Sequence, residues 1–94
     1  MNNYEGFFII DAGLSEEQRK EAIEVIQQAI TKNGGTIKDS RSEGMKVLAY
    51  PIKKKTEGFY ELIDFEADPS SIVILRKAYK LNESILRCVI EKPE

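Results

Sequence analysis

Apolar residues recur along this chain in short stretches whose period switches between two and about 3.6, the periods of strands and helices. Tyr4–Ile10 (YEGFFII) is rich in aromatic and β-branched residues and predicts a first strand. Alternation puts Tyr4, Gly6, Phe8 and Ile10 on one face and Glu5, Phe7 and Ile9 on the other. Both faces are largely apolar, which suits a central strand. Asp11-Ala12-Gly13 turns the chain. Ser15 with Gln18 three residues on is a capping-box pattern, and Glu16 and Glu17 place negative charge where a helix dipole favours it. Ala22, Ile23, Ile26, Ala29 and Ile30 then form one stripe at helical spacing, and Asn33-Gly34-Gly35 ends the helix.

Thr36–Glu43 (TIKDSRSE) is polar and weakly patterned. It reads as a thin extension of strand two, with Gly44 permitting a bulge before Met45; a separate short strand or a mobile loop is the alternative. Val47–Ile52 and Phe59–Glu66 read as hairpin strands around a polar break, Lys53-Lys54-Lys55-Thr56-Glu57-Gly58, which predicts a longer loop ending in glycine. Phe59–Glu66 carries apolar groups at odd and even positions, so its facing stays open. Asp68 at the N-cap and Pro69 in the first turn start a second helix, with Ile72, Leu75, Ala78 and Tyr79 inward. Ile85–Glu91 (ILRCVIE) is the last strand; Leu86, Cys88 and Ile90 form its wholly apolar set and are expected to face the helices, which leaves Arg87 on the other face.

The order strand, helix, strand, strand, helix, strand folds by right-handed crossovers into an α+β split βαβ arrangement, a four-stranded antiparallel sheet with both helices on one face. Strands one and three are central; two and four are edges. Pro51 supports this independently, because a residue without an N–H is expected on an edge strand, at a strand start or at a bulge. At 94 residues the chain makes one domain, 1–94.

Charge changes the picture only when mapped locally. The formal net charge is −2, which does not announce a nucleic-acid binder. Yet residues 1–35 carry three basic against six acidic residues, whereas residues 36–60 carry six against three. Residues 61–75 hold acids alone, and residues 76–94 hold five basic against three acidic. Phosphate contacts act locally, so such patches can bind RNA at low net charge. Lys53, Lys54 and Lys55 have two readings: a solvated edge that discourages aggregation, or a hairpin tip that holds a phosphate backbone. Phe7 with Phe59 or Tyr60 could stack bases, though core and partner contacts explain these aromatics better. Arg87, and Lys92 just past the last strand, are expected to meet phosphate; the alternative for Arg87 is a cross-strand pair with Glu5.

Catalytic chemistry finds little to use. There is no histidine, and Cys88 sits inside an apolar strand as a small core residue. Scattered acids make no metal site. No cofactor and no small-molecule substrate are expected. A single cysteine fits a reducing compartment. The start lacks a signal-peptide pattern, and no apolar run approaches the ~20 residues of a membrane helix. A cytoplasmic protein without membrane contact is the expectation.

Leu48-Ala49-Tyr50-Pro51-Ile52-Lys53-Lys54, followed by Thr56-Glu57-Gly58-Phe59-Tyr60, closely resembles the signature hairpin of the family of the sixth protein of the bacterial small ribosomal subunit. The opening Tyr4-Glu5 before a hydrophobic run and Asn33-Gly34-Gly35 after the first helix resemble the same family, and the likeness covers essentially the whole chain. It implies a ferredoxin-like fold and a structural ribosomal protein without catalysis. It also implies binding to the central domain of small-subunit rRNA as a heterodimer with small-subunit ribosomal protein eighteen. Tyr4 joins Arg87, Lys92, Lys53, Lys54 and Lys55 as candidate RNA contacts, and Leu48, Ala49, Tyr50 and Pro51, on an edge strand whose unpaired backbone groups can take up an extended segment, are the candidate partner segment. Asn2 and Asn3 depart from the basic residues members often carry there. A reading of another class is a small ferredoxin-like regulatory or ligand-sensing domain that self-associates through its open sheet face.

Overall fold

The computed structural model describes residues 1–93; Glu94, with which the expected domain ends, lies outside them. The elements follow in the predicted order: β1 (Asn2–Asp11), α1 (Glu16–Lys32), β2 (Thr36–Ile52), β3 (Lys55–Ala67), α2 (Pro69–Leu81) and β4 (Ile85–Glu91). The strands pair antiparallel in the order β2-β3-β1-β4, so β3 and β1 are central and β2 and β4 are edges. Both helices cover one face. Phe8, Ile10, Ile63 and Phe65 of the central strands meet Ala22, Ile26 and Ile30 of α1 and Ile72, Leu75 and Tyr79 of α2 in one core. This is the ferredoxin-like split βαβ fold.

Local chemistry starts and stops the helices as expected. Ser15 Oγ accepts from the Gln18 N–H at 3.2 Å, and Gln18 Oε1 accepts from the Ser15 N–H at 3.0 Å, which completes the capping box. The Asp68 carboxylate accepts from the Ser70 N–H and hydroxyl, and these bonds hold its carboxyl below the usual carboxylate range. Gly34, at φ +83°, ends α1, and the Gly35 N–H returns to the Ile30 carbonyl. The two helices are tied through the core: the Tyr79 hydroxyl donates to the Ile26 carbonyl at 2.7 Å, and burial pushes that phenol well above its usual range.

Several details depart from the pattern. Thr36–Glu43 belongs to the long β2, with Gly44 at φ +83° in a register shift, as the extension reading expected. On α2, Ala78 is exposed and Ser71 takes the inner place, its hydroxyl donating to the Asn33 carbonyl. The longer hairpin loop is absent. Ile52 pairs with Lys55 across a two-residue turn, and Thr56–Gly58 lie within β3. Leu86 does not face the helices. A register shift between Ile9 and Ile10 places Ile85 in the helix-side core and Leu86 in a cluster on the open face.

The facing of β3, open in the sequence, is settled by burial. Phe59, Ile63, Phe65 and Ala67 face the helices, and Glu61 lies among them at 2% exposure. Its carboxylate accepts from the Ser40 and Ser42 hydroxyls on β2, and Gln27 of α1 donates to Ser40 in turn. A buried acceptor that loses a donor forfeits its compensation for desolvation. Ser42→Ala is therefore expected to destabilise the fold by about 1–3 kcal/mol in urea denaturation. Adding Glu61→Gln to that variant should recover part of the loss, because a neutral amide is easier to leave half-satisfied.

Candidate nucleic-acid interface

The β2–β3 ladder is continuous to Val47 opposite Glu57, then resumes only at Ile52 opposite Lys55. Between them Leu48–Pro51 leaves the pairing and bows over the open face. Leu48 joins Ile9 of β1 and Leu86 of β4 in one apolar cluster, with Phe7, Ile52 and Tyr60 packed against it. Gly58 makes room for this arrangement: a Cβ there would collide with Ile9 Cγ2. The turn beyond holds Lys53 and Lys54 at φ +51° and +67°. Two positive φ values are the type I′ combination that normally draws Asn-Gly. A non-glycine residue in this region costs of order 1–3 kcal/mol.

Arg87 lies on the open face, as the alternation of β4 predicts, opposite Ile9. It does not pair with Glu5, whose cross-strand neighbour is Glu91. Its Nη1 instead donates to the Tyr50 hydroxyl at 2.8 Å. Tyr50 stands on one edge strand and Arg87 on the other, so this bond spans the sheet.

The candidate residues divide into two groups. Lys53 shares a groove with Arg87, together with Arg76 and Lys80 of α2. Lys92 follows Glu91, about 16 Å along β4 from Arg87 by strand rise. It lies towards the end of the sheet where Tyr4 stacks at 5.8 Å on Phe65, half-buried on the helix side. Lys54 is exposed, and Lys55 sits 3.7 Å from Asp11 in an ion pair. Of the candidate partner segment, Ala49, Tyr50 and Pro51 are exposed; Leu48 is buried in the cluster, and its side chain is not available for an outside contact. Phe7 and Tyr60 share the open face and pack edge-on at 5.2 Å, with Lys46 over the Tyr60 ring. Phe59 lies on the helix side under the Arg19 guanidinium.

Ion pairs sort the cations. Lys20, Lys38, Arg41, Lys46 and Lys55 each lie within 4.0 Å of a carboxylate. Lys38 holds the Glu66 carboxyl below its usual range. Among the described residues Lys53, Lys54, Arg76, Lys77, Lys80, Arg87 and Lys92, with Arg19 and Lys32 on α1, have no such partner. The sequence reading missed Arg76 and Lys80. Their only local signal, position late in α2, is explained by the helix dipole. Cys88 lies in the same groove, but burial pushes its thiol up to about 11, so it stays protonated at neutral pH. Among the described residues no group of three or more acids and cysteine is placed to hold a metal.

A family model described as Ribosomal protein S6 matches residues 3–92. The chain belongs to the Ribosomal protein S6 family. It is 44% identical to small ribosomal subunit protein bS6 of Parabacteroides distasonis, over 93% of this chain and 74% of the relative. It is 44% identical to the bS6 protein of Helicobacter pylori strain P12, over 100% of this chain and 66% of the relative, so the chain spans just under two thirds of that protein. The bS6 protein of Clostridium novyi is 38% identical, over 100% of this chain and 99% of the relative. The crystal structure of 30S ribosomal protein S6 from Thermotoga maritima superposes with a TM-score of 0.93 at 31% identity, covering 98% of this chain and 87% of that one. The family comprises structural ribosomal proteins, not enzymes, which agrees with the expectation of no catalysis.

Within this family member the bowed hairpin needs the close approach of Ile9 to Gly58. Gly58→Ala is expected to lower stability by about 1–3 kcal/mol through overpacking. Amide exchange should also speed up at Ile52, whereas the α1 amides should keep their relative protection.

Proposed function

We propose that this ribosomal protein binds the central domain of small-subunit rRNA as a heterodimer with small-subunit ribosomal protein eighteen, acting as one domain in the cytoplasmic ribosome. The observation that carries the RNA reading is the sorting of cations. Those beside acids share their field with a carboxylate, whereas among the described residues Lys53, Arg87 and Lys92 lie beside none. Lys54 adds an exposed charge at the turn, Lys55 contributes less because Asp11 shares it, and Tyr4 supplies a half-exposed ring beside the Lys92 end. α1 carries Glu16, Glu17, Glu21 and Glu24 outward and repels phosphate. The partner reading rests on β2 as a free edge whose Ala49-Tyr50-Pro51 stretch is exposed and outside the ladder, so an extended segment can align there. Among the described residues no helix is long and apolar enough to cross a membrane.

Binding of the pair to a central-domain transcript should weaken steeply with salt, by roughly 0.9 in log–log slope per phosphate neutralised, by analogy with duplex DNA. Arg87→Ala and Lys92→Ala should each reduce the slope by about one, and Lys20→Ala should leave it unchanged. A flat salt dependence of the unaltered pair counts against the RNA reading. For the partner, hydrogen exchange at Ala49 and Tyr50 should be fast in the free protein and slow once protein eighteen is added. Protection that is the same with and without it counts against the edge reading.

A further inference from the structure

Lys53, Arg76, Lys80 and Arg87 come from three separate elements and line one groove of about 300 Å³ between the hairpin turn, the late turns of α2 and the start of β4. Among the described residues no carboxylate lines it. Both guanidiniums are oriented by neutral acceptors: Arg76 donates to the Ile90 carbonyl at 3.0 Å, and Arg87 to the Tyr50 hydroxyl at 2.8 Å. Each keeps its full positive charge and spare N–H donors for something else. Leu86, Ile85, Cys88 and Tyr79 complete the lining.

A second observation points the same way. The turn that carries Lys53 and Lys54 adopts positive φ at both positions, where Asn-Gly would be unstrained. Strain of this kind persists where the residues are needed for another task. Here the strained residue is the one that brings a cation from the hairpin to the groove.

We infer that this groove is a phosphodiester site, in which Arg76 and Lys80 of α2 close with Lys53 and Arg87 on one run of RNA backbone, and that the Lys53-Lys54 turn trades fold stability for that contact. The inference rests on the RNA reading above and adds α2 to it. Unneutralised cations converging from three elements suit a charged backbone more than a base edge, because phosphate contacts position without reading sequence. Arginine forks pair with phosphate oxygens through two donors at once. Arg76 also caps a carbonyl of the outer strand β4, so it discourages strand addition at that edge while facing the groove.

Two variants test this with the protein-eighteen pair and a central-domain rRNA transcript. Lys80→Ala should reduce affinity on the order of tenfold, the equivalent of one charge-assisted hydrogen bond, and lower the salt slope by about one. The double change Lys53→Asn and Lys54→Gly should raise the thermal midpoint by about 5 °C and still weaken RNA binding. If the unaltered pair binds and both variants bind as tightly with the same slope, the groove assignment is overturned and the RNA reading stands. If the unaltered pair does not bind at all, both fall. A turn variant that gains stability and loses no affinity overturns the trade. Equal losses from Lys80→Ala and Lys20→Ala mean a diffuse field and overturn the groove. If Lys80→Ala weakens binding to protein eighteen without RNA, the groove is a protein contact and the inference is wrong.

Discussion

The β2–β3 hairpin is longer than the sheet that holds it. Its strands run 17 and 13 residues, against 10 for β1 and 7 for β4. The excess carries Leu48, Tyr50 and Ile52, which cannot stand in water as a flat extension without exposing an apolar edge. The chain resolves this by leaving the ladder after Val47 and laying the excess on Ile9 and Leu86. The glycine at position 58, the register shift in β4 and the tight lysine turn are all conditions of that placement. The candidate interface follows, since only the bow brings residues of the two edge strands within reach of each other.

Much of this architecture was legible in the chain, and what was not has a common cause. Caps, helix stripes and the order of elements depend on neighbours within a few residues, and Ser15, Gln18, Asp68 and Pro69 announce them. The edge position of β2 was legible through one residue, Pro51, because a missing N–H is a local fact with a sheet-level meaning. The turn was misread because glycine ordinarily marks a turn, whereas Gly58 answers to the side chain of Ile9. Leu86 was misplaced because alternation assumes an unbroken register. Glu61 and Ser71 are buried polar groups whose partners lie on other elements, and no local pattern signals them. At the interface, alternation gave the face of Arg87 and strand rise its separation from Lys92, but the approach of Arg76 and Lys80 arises only when α2 is laid beside β4.

A net charge of −2 conceals two populations of cation. One is engaged within the fold, at Lys20 on α1 and along the β2–β3 hairpin, in exposed pairs such as Lys38 with Glu66 that add little to stability. The other, among the described residues, stands without an ion pair around the hairpin turn, α2 and β4.

The strand order also determines how the chain can assemble. The β2–β3 pairing is a hairpin between neighbours in sequence and closes a short loop. β1 is different: Asp11 pairs with Gly58, and Ile10 with Ile85, so the first strand finds its neighbours only across most of the chain. Long-range pairings of this kind must bear their loop-closure entropy before any contact offsets it. The topology therefore favours an early hairpin and a late centre, with the strand made first being the last to become fully paired. Until then the apolar faces of Phe7–Ile10 have no cover, and the interval before β4 docks is when this small domain is most exposed to misassociation.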